Sequence, residues 1–398
     1  MTMVNHNTKP DPLFTAADFP AWPQYDEKEE QALLDTLDEG QWGTLGKRVL
    51  EFSDKFAKYI GVKKVICVNT GTQALELLLR ACGIGRGDEV IVPPYTFVAT
   101  VYAIAWVGAM PVFADVDVNT GCLDPISVQQ CITERTKAIL AVHVAGRTCD
   151  MDALSAIAHN AGIYLLEDAA HAHGSEWKGR KAGSLADGAA FSFQSSKVLT
   201  GGEGGAIATN NEDIWARAWQ YHNSGRAVKG GGELGGVVLM GTNGRMAEWE
   251  AAILLKQLDR LDAQCARRSE GAVIIDDTLR GTPGITLPPL DDRITAWSGF
   301  LYQFRWNGAT PRSEFIKKLR ERGLPCSAGY PALYNMGMLH DATFERSTGL
   351  KFTSEPVCPN TEQLAKEAVW FKGSALLAER DILHRASAAI AEIAQELG

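Results

Sequence analysis

No two cysteines in this 398-residue chain stand in a C-x-x-C arrangement: Cys67, Cys82, Cys122, Cys131, Cys149, Cys265, Cys326 and Cys358 are scattered. That scatter argues against a zinc site, and a chain this long has no need of the disulfide framework that small secreted domains rely on. Basic residues are also in short supply, with 39 Lys and Arg against 48 Asp and Glu and a net charge of −9. A sequence-independent grip on nucleic acid needs a concentrated basic surface. Lys63-Lys64, Arg267-Arg268 and Lys317-Lys318 are only isolated pairs, better read as solvated faces. Long apolar runs are missing as well. Val101 to Ala114 is broken by Gly108 and Pro111, which suits a buried helix running into a strand rather than a membrane span. Residues 1 to 20 contain no apolar segment of the secretory type. Free thiols and the lack of an export segment lead to the expectation of a cytoplasmic protein.

What is present is the composition of an ordinary globular chain, 45% hydrophobic and 22% charged. Residues 1–25 are polar and proline-bearing and read as an arm lying on the body. Asp26 is placed to cap a helix over Glu27 to Leu37, closed by Gly40. A glycine-bearing loop follows, Gln41-Trp-Gly-Thr-Leu-Gly46. From residue 49 helix and strand signals alternate, with strands at Val65–Val68, Glu89–Val92, Pro111–Asp115, Lys137–His143 and Ile163–Glu167. Such alternation predicts an α/β fold, a mainly parallel sheet with helices on both faces and ligands gathering at the carboxyl ends of the strands. A glycine-rich loop Gly230 to Gly236 precedes a long helix from Met246 to about Ala266. The composition changes after Arg268, which divides the chain into an arm (1–25), a large domain (26–268) and a smaller α/β domain (269–398). In the last of these, Gly299–Trp306 reads as a strand, Pro325–Tyr334 as a loop, and a final helix starts near Glu379.

Four stretches carry chemistry. Asp187 to Thr209 places two apolar strands around a polar turn that holds Lys197 and four glycines. Burial without a partner depresses the pKa of a lysine, and a depressed pKa is what a Schiff-base lysine requires; from this stretch alone, a lysine with a packed stem and a solvated head is an equal reading. In Val65-Ile-Cys-Val-Asn-Thr70-Gly71-Thr72-Gln73, a strand gives way to a helix through a small polar turn, where free amides, the helix dipole and a hydroxyl converge on an anion such as phosphate. An ordinary helix cap by Thr70 or Thr72 is the other reading. Glu167-Asp168-Ala-Ala-His171-Ala-His173 ends a buried strand in a carboxylate that can keep a pyridine nitrogen protonated, with His171 close by. A capping aspartate is the alternative, and a metal clip at His171 and His173 lacks other ligands at suitable spacing, so no metal is expected. Pro93-Pro-Tyr95-Thr-Phe97 follows a strand, and Phe97 is able to cover a planar ring. Further on, Asn243 and Arg245 open the long helix and could reach a phosphate or carboxylate, in this subunit or a second one.

Taken in that order, these motifs resemble pyridoxal 5'-phosphate (PLP) enzymes of fold type I, and more narrowly the sugar and aminocyclitol aminotransferases of the DegT/StrS family, over residues 18 to 398. The family pattern S-F-x-x-x-K-x-x-x-x-G-E-G-G is matched by Ser192-Phe-Gln-Ser-Ser-Lys197 and Gly202-Glu203-Gly204-Gly205. The resemblance implies that Lys197 forms the Schiff base with PLP, that Ser192 and the Gly71-Thr72-Gln73 turn bind phosphate, and that Phe97 stacks on the ring. It further implies that Asp168 pairs with the pyridine nitrogen, His171 approaches the cofactor, and Asn243 reaches the phosphate from the second subunit of a homodimer. His171 stands where the family commonly has glutamine, and Gly329-Tyr330 replaces a histidine-tyrosine pair. Phe19-Pro-Ala-Trp-Pro-Gln-Tyr25, Phe191-Ser-Phe-Gln194 and Val369-Trp370 are similar to the inosose aminotransferase and 3-amino-5-hydroxybenzoate synthase branch.

The expectation is therefore a PLP aminotransferase moving nitrogen from L-glutamine or L-glutamate to a cyclic polyhydroxy ketone, with Tyr330 and Arg245 as substrate contacts. An aromatising synthase, a PLP-binding regulator without turnover and a non-PLP binding protein remain as alternatives.

Overall fold

Alternation along the strands decides the architecture. In the computed structural model, which describes residues 12–43, 46–228, 234–352 and 356–398, seven strands form the main sheet. They are β1 (Lys64–Val68), β2 (Glu89–Val92), β3 (Met110–Phe113), β4 (Thr136–Val142), β5 (Tyr164–Asp168), β6 (Gly188–Ser192) and β7 (Gly205–Thr209). Their spatial order is β1-β7-β6-β5-β4-β2-β3, and β7 alone runs against the others. Successive side chains point to opposite faces, so both faces need apolar cover. Ile66, Val90, Leu140, Leu166 and Ile207 enter one core, under the helices Gly71–Ala81, Val98–Trp106 and Glu212–His222. Their neighbours Cys67, Ile91, Ile139, Leu165 and Ala206 pack on the other face, under Lys47–Ile60, Met151–Ala161 and Glu248–Leu279. The fold is thus the α/β arrangement expected, and all strands but β7 deliver their carboxyl ends to one edge.

Two expectations are corrected. The long helix does not stop near Ala266 but runs from Glu248 to Leu279, because no proline or left-handed glycine interrupts it before Gly281, whose φ is +79°. Its apolar residues pass from one core to the next between Cys265 and Ala272 with no linker between them. Pro325–Tyr334 is not wholly loop, since Cys326–Ala328 pairs with Ala368–Lys372 in a four-stranded antiparallel sheet that also holds Leu301–Trp306. That sheet, the helices Arg312–Glu321 and Arg380–Leu397 and the end of the long helix enclose the second core. Of the expected loop Gly230 to Gly236, residues 230–233 lie outside the described residues, and Leu234–Val237 pairs with Arg226–Val228. Thr44 and Leu45 of the Trp42 loop, and residues 1–11 of the arm, also lie outside them.

The described part of the arm is anchored at several points. Phe14 is buried in the second core, Phe19 meets Phe371 edge-on at 6.1 Å, and Gln257 and Gln264 of the long helix donate to Gln24. No helix among the described residues is long and apolar enough to cross a membrane.

Candidate active site

At the carboxyl edge of the sheet lies a cavity of ≈ 570 Å³, within the size range of small-molecule sites. Thr70, Gly71 and Thr72 after β1, Thr96 and Phe97 after β2, Asp168 at the end of β5 and Ser192 at the end of β6 line it. Lys197, Glu203 and, from segments flanking strands of the second sheet, Phe300 and Tyr330 close it.

Lys197 sits on a turn that is held from within. Its amide donates to the Gln194 carbonyl at 2.8 Å, the Gly201 amide and the Thr200 hydroxyl both donate to the Phe193 carbonyl, and the Ser196 amide and hydroxyl donate to the Gln194 side chain. The Lys197 ammonium lies 4.7 Å from the Phe300 ring centroid. Burial pushes its pKa down to about 8, with Asp168 pulling in the opposite direction. Of the two readings open in the sequence, the geometry favours the buried amine.

Asp168 accepts from the Thr100 hydroxyl at 2.9 Å and from the Ala170 amide at 3.2 Å. Because Thr100 spends its proton on Asp168, the Thr96 hydroxyl 3.0 Å away must donate to Thr100, which makes a two-step hydroxyl relay into the carboxylate. Burial pushes the Asp168 pKa up against these donors and Lys197. Its neighbour Glu167 points to the other face. There it accepts from the Gly183 and Leu185 amides at 2.7 and 2.8 Å and from His143 Nε2 at 2.9 Å. The Cys149 amide donates to His143 Nδ1, so Nε2 carries the ring proton.

The turn after β1 is a cradle. Thr70 caps the helix by accepting from the Gln73 amide at 3.0 Å, which leaves the turn before it to face the cavity. A Cβ on Gly71 would lie 2.5 Å from Ser192 Cβ, so only glycine lets the β1 turn close on the end of β6 and bring Thr72 and Ser192 to one cavity. His171 lines the cavity with its ring stacked on Phe300 (centroids 4.0 Å apart), and burial holds its pKa well below the usual value. Its buried Nδ1 has no hydrogen-bond partner. Behind Lys197, His173 packs between Phe191 and Phe193, and burial pushes its pKa down to about 3. Among the described residues no cluster of three or more His, Cys, Asp or Glu side chains is placed to hold a metal.

These groups fit PLP. Helix amides with Thr72 and Ser192 would hold the phosphate, Asp168 the ring nitrogen and Lys197 the reactive carbon, while His171 offers an unpartnered ring nitrogen at the same wall. Not every expected residue is there. Gln73 turns its carboxamide towards Gly244, where a Cβ would meet its Oε1 at 2.2 Å, and is not a lining residue. Asn243 is exposed outside the cavity. Arg245 donates to Asn223 at 3.0 Å and lines a separate cavity of ≈ 320 Å³ with Trp215 and Trp219. Phe97, 57% exposed, stands at the mouth. Phe300 and Thr100 join the site without belonging to any of the motifs that point to it, and Thr96 joins it from within the Pro93-Pro-Tyr95-Thr-Phe97 stretch, where the expectation rested on Phe97. The two threonines carry a signal, an i, i+4 pair across a helix start just after a strand, whereas Phe300 comes from the segment just before the strand Leu301–Trp306 and carries none.

Comparison with known proteins gives one consistent answer. Residues 23–386 match the DegT/DnrJ/EryC1/StrS aminotransferase family. The chain is 38% identical over 388 residues to a 3-amino-5-hydroxybenzoate synthase of Amycolatopsis mediterranei, covering 95% of this chain and 97% of that protein. It is 35% identical over 406 residues to an L-glutamine:2-deoxy-scyllo-inosose aminotransferase of Streptomyces fradiae, covering 94% of each. The crystal structure of a 3-amino-5-hydroxybenzoic acid synthase superposes with a TM-score of 0.87 at 36% identity, over 95% of this chain and 99% of that one.

Proposed function

The chain belongs to the DegT/DnrJ/EryC1/StrS aminotransferase family, and from that premise we propose that it transfers an amino group from L-glutamine or L-glutamate to a cyclic polyhydroxy ketone, using PLP. The observation that carries the reading is the convergence of Lys197, Asp168, Ser192 and the Gly71-Thr72 turn on one cavity. When bound, PLP supplies an electrophilic carbon for the amino group and a ring that withdraws electrons from the adjoining substrate carbon.

This chain's residues do the rest. Thr72, Ser192 and the first-turn amides anchor the phosphate. The Asp168 carboxylate, fed by Thr100 and Thr96, would pair with the ring nitrogen and favour its protonated form. Lys197 Nζ would hold and return a proton at the reacting end of the cavity, since a pKa near 8 leaves it able both to give and to take one near neutrality. Tyr330, packed edge-on against Trp370 at 4.6 Å, forms the wall on the acceptor side. Asn243 and Arg245, outside their own chain's cavity, complete the site of a second subunit in a homodimer. Eight free cysteines support a reducing compartment, the cytoplasm.

Absorption spectroscopy of the purified protein, borohydride reduction and mapping of the modified peptide test the reading. Reduced cofactor on Lys197 is expected, and a protein that takes up no PLP at Lys197 refutes it. The synthase relative at 38% identity favours a second reading, in which the same chemistry leads to dehydration and an aromatic product. Incubation with a keto-cyclitol plus glutamine, and separately with an aminodehydroshikimate-type substrate, distinguishes the two by product mass.

A further inference from the structure

Arg268 is among the largest fully buried side chains, 1% exposed, and its Nε and Nη1 have no hydrogen-bond partner. An unpaired buried cation is costly, so its surroundings call for an explanation. Among the described residues no carboxylate pairs with it. Instead its guanidinium lies 4.7 Å from the ring centroid of Trp22, in the Phe19-Pro-Ala-Trp-Pro segment of the arm. The Trp22 indole N–H, in turn, donates at 3.2 Å to the backbone carbonyl of Lys197, 175 residues away. On another side the Arg268 stem rests against Gly299, where a Cβ would come within 2.5 Å of Arg268 Cβ and where φ is +69°. Gly299 leads directly into Phe300, whose ring lies under the Lys197 ammonium and stacks on His171. One side chain on the long helix therefore backs both contacts that hold Lys197 from outside its own turn.

We propose that Arg268 is a positioning residue for Lys197: it seats Trp22, which grips the Lys197 carbonyl, and Gly299, which sets Phe300 beneath the Lys197 amine. The inference rests on the reading of Lys197 as the amine-bearing catalytic residue. Arg268 acts through packing rather than through its field, since the influences on Lys197 are burial and Asp168. The remaining groups around the amine are the neutral imidazoles of His171 and His173 together with Glu203 and Tyr330 on the cavity wall. The arm motif thereby acquires a role, since Trp22 supplies a donor that ties the lysine turn, by way of Arg268, to the second domain.

The test is amide hydrogen exchange on the full cofactor-free chain, alongside steady-state kinetics of the holoenzyme. Trp22→Phe keeps a ring on Arg268 and deletes the donor. It should speed exchange at Lys197 and Gly201 by about threefold to tenfold and lower kcat with KM for the amino donor unchanged. Arg268→Met, which replaces a buried cation with an apolar side chain of similar volume and should fold, is expected to do the same and to speed exchange at Phe300. Combined, Trp22→Phe should add nothing in the Arg268→Met background, because both act through one contact chain. Unchanged exchange at Lys197 in either single variant overturns the proposal. So does faster exchange spread evenly over the chain, which marks a purely structural residue. Because exchange is read without turnover, these outcomes stand apart from those of the PLP reading, which fails only if Lys197 never takes up the cofactor.

Discussion

Replacing Thr100 with valine keeps the shape of the side chain and removes the donor to Asp168 Oδ2. A hydrogen bond to an ionised group contributes about 1.5–3 kcal/mol, and one pKa unit corresponds to ~1.4 kcal/mol, so the Asp168 pKa should rise by about one to two units. Burial already holds that pKa above its unfolded value. Between the unfolded and folded values the native state carries the extra proton, so stability falls as pH rises through that window. Thr100→Val extends the window upward. Relative to the parent chain, the variant's deficit should therefore be small in acid, where Asp168 is protonated in both proteins, and should grow towards about 1.5–3 kcal/mol on the alkaline side. Urea unfolding of the cofactor-free chains at about pH 3, below the free aspartate value, and at about pH 8 measures it, since every other titrating group cancels in the difference. In the holoenzyme the less acidic carboxyl should weaken PLP binding about tenfold or more, following the same ~1.4 kcal/mol per decade. A deficit that is equal at both pH values, or larger in acid, refutes the relay. Thr96→Val, which removes only the donor to Thr100, should lose less, on the order of 1 kcal/mol.

Gly71→Ala drives a methyl group into Ser192; overpacking of this kind costs about 1–3 kcal/mol, and it should appear as weaker PLP binding in a fluorescence-quenching titration. Glu167→Gln places an amide N–H₂ against backbone donors now held by the carboxylate. Unfolding free energy should fall by about 2–3 kcal/mol, while the absorption of bound PLP stays unchanged. Lys197→Ala and Asn243→Ala should each be inactive alone; mixed as equal amounts of dissociated subunits, they should recover about a quarter of parent activity, because half the dimers then hold one intact shared site. No recovery removes the shared site.

Much of the fold is legible because its signals are local. Runs such as Val65–Val68 and Glu89–Val92 are buried on both faces and short, and the Gly-rich turn around Lys197 and the strand-end Asp168 can be read without knowing their neighbours. What cannot be read depends on contacts across long stretches of chain. Phe300 and Trp22 reach Lys197 from 103 residues after it and 175 residues before it, and no spacing rule links them. Gln73 sits inside a motif that faces the cavity, yet its side chain lies beside Gly244, because two residues along a helix from Gly71 turn a side chain roughly 200° about the axis. The long helix continues through the point where its composition changes. That change reflects a change of packing partner, from Leu261 and Cys265 in one core to Ala272 and Ile275 in the other, rather than an end to the hydrogen-bond ladder.

The pairing of β1 with β7 bears on how the molecule is made. Val68, just before the cradle turn, lies opposite Gly205, just after the lysine turn. The two halves of the cavity are thus joined by a contact between distant parts of the chain, and everything between them must first be threaded into the sheet. Closing so long a loop costs entropy, the feature that makes high-contact-order proteins fold slowly. A nascent chain emerging from the ribosome carries the cradle, the carboxylate and the lysine well before they can act together. Strand β7, which contributes no side chain to the cavity, joins its two halves by lying antiparallel between β1 and β6.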